Sequence, residues 1–347
     1  MINLEGIWEK TEQNCLLTKE EITYLLQLNL GQTPQLFRKA DAIRKKYLGD
    51  QIYLRGIIEF SNYCRKNCAY CGIRNSNTSV ERYRISTSEI IETAKKIETF
   101  HQTTVVLQSG EDLYFSREFL GEIISQIKSE TKLAVTLSVG ERDFATYEYW
   151  KQKGLDRYLL RFETSDRALF KKVHPDDDFD ERMQCLADLK ELGIQVGSGF
   201  LIGLPGQTIE QLAEDILFCT KLNLAMIGVG PFIAHENTPL KDLANPFTND
   251  IFFKTVAILR LLNKKSHIPA TTAFDAIDQA GRNKLLTFGA NVFMPNSTPK
   301  QYRDKYLLYP GKPCIDESSD DCASCVLLRV KALGREIGQD QGHWVDT

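Results

Sequence analysis

Eight short β-branched runs, each followed by an amphipathic stretch, recur along the chain at 52–60, 104–108, 134–138, 158–162, 195–202, 226–229, 269–273 and 291–294. Strands separated by a helix pair in parallel, and parallel strands need helices over their outer face. Eight such units predict an α/β fold, a closed or partly open (β/α)8 TIM-type barrel rather than a doubly wound sheet. Capping pairs at Ser86/Glu89, Asp178/Glu181 and Thr208/Gln211 predict helix starts, and Gly154 and Gly193 stand where helices end. Thr18 with Glu21, and Pro34 at a first helical turn, predict two helices over 18–47. The expected organisation is a helical amino-terminal segment at 1–50, the barrel at 51–310 and a carboxyl-terminal extension at 311–347.

Chemistry in a parallel barrel gathers at the carboxyl ends of the strands, where the loops converge on one mouth. Here those ends are polar and glycine-rich: 59–62, 108–112, 138–141, 161–164, 203–206, 228–231, Thr271 with Thr272, and 294–296. Turn chemistry explains the glycines and Pro205, but not Glu111, Arg161 and Glu163 on one rim.

The chain has nine cysteines, six of them in two tight groups. Cys64, Cys68 and Cys71 form a C-x3-C-x2-C run in the loop after the first strand. Three thiolates so close can wrap one iron–sulfur cube and leave one iron open. A structural zinc site would need a fourth nearby Cys or His, and the next downstream histidine is His101. Cys314, Cys322 and Cys325, in a tail with Asp316, Glu317, Asp320 and Asp321, form a second group, expected to lie peripheral to the rim. Zinc with an outside fourth ligand is its alternative. Cys15, Cys185 and Cys219 lie on helical patterns and are expected as buried, inert thiols, while His174 and His235, beside prolines or acids, are expected at the surface or in loops rather than as ligands.

Forty-three basic against 46 acidic residues leave a net charge of −3, with no excess to hold nucleic acid or anionic lipid. The longest apolar run, 224–234, is punctuated by Gly228, Gly230 and Pro231 and is shorter than the roughly 20 residues of a membrane span. Glu5, Glu9 and Glu12 stand where a signal peptide would be apolar. The expectation is a cytoplasmic protein without nucleic-acid or membrane partners.

The C-x3-C-x2-C run with aromatic Tyr70 before its last cysteine, after the first strand of an eight-unit barrel, resembles the radical S-adenosylmethionine (SAM) superfamily. Within it, the blocks 59–62, 107–112, 156–161, 203–208 and 311–325 resemble the HydE family of [FeFe]-hydrogenase maturases, in the same order from about 41 through 342. Biotin synthase and methylornithine synthase are similar families. The resemblance implies a [4Fe–4S] cluster on Cys64, Cys68 and Cys71, SAM chelated at its open iron, and reductive cleavage of SAM to a 5′-deoxyadenosyl radical. It also implies Gly110 and Glu111 near the methionine amine, Glu163 and Arg182 at SAM, and Tyr70 against adenine with Ser138 nearby. Arg157, Arg161, Thr271, Thr272 and Met294 map to the barrel interior or rim, where the family accommodates substrate. Arg182 suits a forked contact to the SAM carboxylate, an ordinary Glu163–Arg182 salt bridge being the alternative. Thr271 and Thr272 read equally as β-formers filling the core. The chain departs from the family at Phe162, where His is more common.

The tail cysteines Cys314, Cys322 and Cys325 match the spacing at which some relatives carry an accessory iron–sulfur cluster. The function implied is assembly of the hydrogenase diiron site from a small thiolate- or iron-bearing precursor, with a reduced electron donor and other hydrogenase maturases as partners. A methylornithine-synthase-like mutase and a non-catalytic iron–sulfur carrier are the alternatives. The carrier would need no SAM-binding rim. Sulfur insertion of the biotin synthase kind needs cysteines on inner strands, and none of the eight runs has one.

Overall fold

The computed structural model describes residues 2–345; Met1, Asp346 and Thr347, the outer ends of the 1–50 and 311–347 segments, lie outside the described residues. The strands are β1 Gln51–Ser61, β2 Thr104–Ser109, β3 Ala134–Ser138, β4 Arg157–Leu159, β5 Gln195–Ser198, β6 Leu201–Ile202, β7 Met226–Ile227, β8 Gly230–Pro231, β9 Pro269–Ala270, β10 Val292–Phe293 and β11 Glu336–Ile337. Neighbours run in parallel in the order β7-β5-β4-β3-β2-β1-β10-β9. The ring closes between β7 and the residues before β9, through a parallel bridge of Met226 with His267. There Ile227 N–H donates to the His267 carbonyl and His267 N–H to that of Ala225, both at 2.9 Å. The result is a (β/α)8 TIM-type barrel whose strands follow chain order.

The predicted run at 195–202 is broken into β5 and β6, while the run at 226–229 shortens to β7 and is followed beyond its end by β8; β6 and β8 pair separately as Leu201–Gly230 and Ile202–Pro231. β1 is the longest strand, and its ladder with β2 shifts register between Glu59 and Ser61. Such a bulge bends a strand end, and here it re-aims the chain into the cysteine loop. Outside the barrel, helices pack their apolar stripes on the strands. Trp150 and Tyr147, on the helix Phe144–Gln152, flank Tyr158 of β4 at ring-centroid distances of 6.2 and 5.1 Å, all three buried. Trp150→Ala would cost about 3–5 kcal/mol.

The amino-terminal segment holds the two expected helices, Lys19–Leu26 with its Thr18/Glu21 capping box and Thr33–Leu48 with Pro34 in the first turn. A further helix, Leu4–Glu12, precedes them. Cys15 follows it in an exposed, non-helical position, against the expectation of a buried helical thiol; Cys185 and Cys219 are buried on helices as expected.

The carboxyl-terminal segment does not stand apart. Its helix Ser319–Ala332 leads to β11, which pairs in parallel with Gln51 and Ile52 at the start of β1. The chain then crosses the amino-terminal end of the barrel. Arg157, the first residue of β4, donates to the Gln341 carbonyl at 2.6 Å, and Thr103 Oγ1 donates to that of Asp340 at 2.8 Å. Among the described residues no helix is long and apolar enough to cross a membrane.

Candidate active site

At the opposite end, the chain leaves β1 and runs over the barrel mouth until Arg84 bridges back to Ser61. Few regular hydrogen bonds are available to such a loop, and two side chains replace them. Asn62 donates to the carbonyls of Glu81 and Lys305 at 2.8 and 2.7 Å and accepts from Tyr83 N–H at 2.8 Å. Arg82 donates to the carbonyls of Ile73, Arg74 and Asn77 at 2.7–3.0 Å. The loop also seats on its surroundings, Ala69 N–H on the Val173 carbonyl and Gly72 N–H on that of Leu308, at 2.8 and 2.9 Å. Two glycines make the seating possible. A methyl group at Gly72 would lie 2.1 Å from the Leu307 carbonyl oxygen, and one at Gly110 would lie 2.3 Å from that of Tyr63 and 2.8 Å from Cys64 Cβ.

Cys64, Cys68 and Cys71 thereby face one cavity of about 370 Å³. Burial, reinforced by Cys64, pushes the Cys71 thiol up to about 12, and burial also raises Cys64 and Cys68. Three thiols this costly to ionise alone are suited to a cationic occupant.

A charged wall rises beside them. Glu111 accepts from the Arg65 guanidinium and, at 3.2 Å, from Glu141 N–H. Arg182 donates to Glu141, to the Arg161 carbonyl at 2.8 Å and to Asp177 at 2.8 Å. Burial alone would raise the Asp177 pKa, but His174, Arg182 and Lys66 overcome it and hold it far below the usual carboxylate range. Glu163 pairs with Arg161 at 2.7 Å and accepts from the Tyr70 hydroxyl at 3.1 Å. Burial and then Glu163 drive the Tyr70 pKa well above its ordinary value, so its hydroxyl is a donor at neutral pH. Glu163 has φ 65, a left-handed conformation that a non-glycine residue adopts only under constraint. The constraint is visible: Glu163 N–H donates to the Gly199 carbonyl and its own carbonyl accepts from Leu201 N–H. The next two residues, Thr164 and Ser165, hang on the buried carboxylate of Asp215.

Across the cavity, Lys312 grips both oxygens of Glu59 at 2.6 Å and the Tyr306 carbonyl at 2.9 Å, tying the carboxyl-terminal segment to the top of β1. Thr272 shares a 2.8 Å hydrogen bond with Tyr309, and Thr271 donates to the Val229 carbonyl at 2.9 Å. Cys314 also lines this cavity, which the expected peripheral placement did not foresee. Donor atoms of Cys314, Glu317 and Cys322 fall within 4.8 Å of one another, while Cys325 is exposed one helical turn on.

Residues 58–219 match the Radical SAM superfamily. The chain is 47% identical over 338 residues to the [FeFe] hydrogenase maturase subunit HydE of Thermotoga maritima, covering 97% of this chain and 96% of that one. The chain belongs to the HydE family. It is a radical SAM enzyme, and that family carries a [4Fe–4S] cluster and SAM. HydE kinship extends to 3-methylornithine synthase of Methanosarcina acetivorans, 31% identical over 96% of this chain and 94% of that one. A solved methylornithine synthase superposes with a TM-score of 0.83 at 26% identity, covering 95% and 96% of the two chains.

The residues present fit the HydE cofactors. Three soft thiols share one loop, and in the same cavity the buried Nε of Arg161 has no hydrogen-bond partner, a donor free for an anionic group. Tyr70, Gly110, Glu111, Ser138, Glu163, Arg182, Arg161, Thr271, Thr272 and Met294 all line this cavity. Arg157 does not. It opens β4 at the far end of the barrel, fully buried against Thr104 and the tail, so the structure does not bring it to the mouth. Glu163 and Arg182 do not pair with each other either; each has its own partners. Phe162 packs in the core against Phe200 and Phe218, 5.7 and 5.1 Å between centroids. His174 lies in the loop after the helix Arg167–Val173, as expected, but is buried there against Cys68 rather than at the surface, and His235 is likewise a buried loop residue. Sequence reasoning gave His174 no place in the site, nor Lys66, Asp177, Lys312 and Tyr306, and Glu141 fell in the polar strand end 138–141 without a role. For Lys312 the signal was present, since it falls inside the 311–325 block.

Proposed function

We propose that the chain acts in assembly of the [FeFe]-hydrogenase diiron site, on a small thiolate- or iron-bearing precursor. Support comes from one observation: the thiols of Cys64, Cys68 and Cys71 and the wall of Glu163, Arg161 and Tyr70 open into the same cavity as Glu59, Thr272 and Met294. Cluster and SAM together supply one-electron cleavage of the S–C5′ bond to a 5′-deoxyadenosyl radical. The three cysteines hold the cluster. Arg161 and Glu163 would hold the charged end of SAM through charge-assisted hydrogen bonds, and Tyr70 would contact the adenine. Leu201, Phe232, Leu159 and Ile57 line the same cavity and would exclude water from a reactive species. Thr271, Thr272 and Met294 face the precursor.

A reduced one-electron donor and other hydrogenase maturases are the partners of this reading, and the cytoplasm, which keeps cysteines out of disulfides, as all nine are here, is its compartment. Cys314 and Cys322, with Glu317 or Cys325, hold an accessory iron–sulfur cluster in the same reading. Complementation tests it: a hydrogenase-producing host lacking its own HydE should regain hydrogenase activity with this chain and not with a Cys64→Ser variant. Rescue of a methylornithine-requiring host instead would favour the mutase reading, which the 0.83 TM-score keeps as the runner-up.

A further inference from the structure

His174 caps the carboxyl end of the helix Arg167–Val173 and lies beneath the cysteine loop, only 3% exposed. Its ring stacks on Phe170, centroids 4.9 Å apart and planes 15° from parallel, so its orientation is set by packing. Nδ1 lies 2.8 Å from Asp177 Oδ2 and 3.3 Å from Cys68 Sγ, and Nε2 lies 3.1 Å from the Tyr70 hydroxyl. An ionised carboxylate can only accept hydrogen bonds, and Asp177 is kept ionised by Arg182 and Lys66. Nδ1 therefore carries a hydrogen. The same N–H reaches the sulfur of Cys68, and a thiolate ligand too can only accept.

We propose that His174, oriented by Asp177, is a positioning residue that hydrogen bonds the Cys68 sulfur and thereby raises the reduction potential of the cluster this loop holds. The proposal rests on the reading of Cys64, Cys68 and Cys71 as cluster ligands. Reduction adds negative charge that spreads onto the ligand sulfurs, so an N–H aimed at one of them stabilises the reduced form more than the oxidised form. The fixed carboxylate behind the ring keeps that N–H in place, as partners of ligating groups do in metal sites generally.

The test is a redox titration of the anaerobically reconstituted full-length protein, followed by electron paramagnetic resonance and paired with iron analysis. His174→Phe keeps the ring stack and removes the donor; its midpoint should move to a more negative potential with iron content unchanged. His174→Asn places an amide N–H close to the Nδ1 position and should recover most of the shift, which a merely structural role would not produce. Equal midpoints in all three proteins overturn the proposal. Should His174→Phe fail to fold, His174→Gln takes its place, its amide one bond further from the backbone. An exchangeable proton coupled to the reduced cluster should then be seen by electron–nuclear double resonance in the wild type and be lost in that variant; a coupling that persists overturns the proposal. A wild type that assembles no SAM-responsive cluster overturns this proposal and the ligand reading together, whereas unchanged midpoints overturn the proposal alone.

Discussion

The two cysteine groups share a closing C-x2-C, one as C-x3-C-x2-C and the other as C-x7-C-x2-C, and differ in nearly everything the fold adds. Cys64, Cys68 and Cys71 sit on one loop, knitted by Asn62 and Arg82 and walled by Glu111, Arg182 and Asp177. Cys314 lies in an irregular stretch with φ 63, Cys322 in the first turn of a helix, and Cys325 exposed on the next turn. The thiols of the second group also respond to each other: a hydrogen bond from Cys314 draws Cys322 down to about 7, while that hydrogen bond and burial push Cys314 up. Spacing therefore selects a ligand set. The frame of buried polar groups decides whether the set can position a reacting molecule.

The largest test of that contrast is removal of the first group. Cys64→Ser, Cys68→Ser and Cys71→Ser, singly, should each lower 5′-deoxyadenosine formation on the order of 10³-fold or more, about 4 kcal/mol of transition-state stabilisation. A variant that keeps the wild-type rate would break the comparison at its root.

The frame itself is tested next, at Asp215. This carboxylate is fully buried, and burial, opposed by its hydrogen bonds from Ser165, Thr164 and Gln207, raises its pKa from the ordinary 3.8 to about 6. A carboxylic acid raised in the folded state stabilises most below the unfolded value and loses that contribution as pH rises through the folded one. Between about pH 4 and pH 6 the wild type should lose on the order of 3 kcal/mol relative to Asp215→Asn, read by urea unfolding of both proteins across that window. Parallel pH profiles would remove Asp215 from the frame.

Arg182→Lys is a smaller perturbation. Lysine keeps the charge but cannot reach Glu141, Asp177 and the Arg161 carbonyl together, so the SAM-free protein should lose on the order of 2 kcal/mol of stability. Equilibrium SAM binding on the same protein should weaken roughly tenfold. A lowered melting temperature with unchanged SAM affinity would make Arg182 a purely structural partner of the wall.

The smallest effect on catalysis is expected from the second group. Cys314→Ser/Cys322→Ser/Cys325→Ser should lower iron per chain and leave SAM cleavage within about twofold, a change of roughly 0.4 kcal/mol. Cys325→Ser alone sharpens the point. Iron retained at the level of the wild type would favour Glu317 as the third donor, and iron lost would favour Cys325.

Much of this was legible beforehand because it is local. Strand–helix alternation implies parallel neighbours, and eight repeats imply closure; Thr18/Glu21 and Thr208/Gln211 form full capping boxes because their partners lie three residues away. The cysteine loop was legible for the same reason, three ligands within eight residues of one another. Glu111, Arg161 and Glu163 could be assigned to the mouth because each follows a strand end.

What tertiary structure alone decided is whatever depends on partners far apart in the chain. Arg157 immediately precedes the predicted run at 158–162 and Arg161 falls within it, yet the first faces the tail at one end of the barrel and the second the cavity at the other. No periodicity in the sequence separates them, because depth along the barrel axis is set by where the strand sits in the closed sheet. Glu59 and Lys312 meet across more than 250 residues, and Cys68 and His174 across more than 100. A spacing in sequence fixes neighbours within a turn or a loop; a contact between distant segments exists only once the barrel has closed and its register has chosen which side chains share its interior.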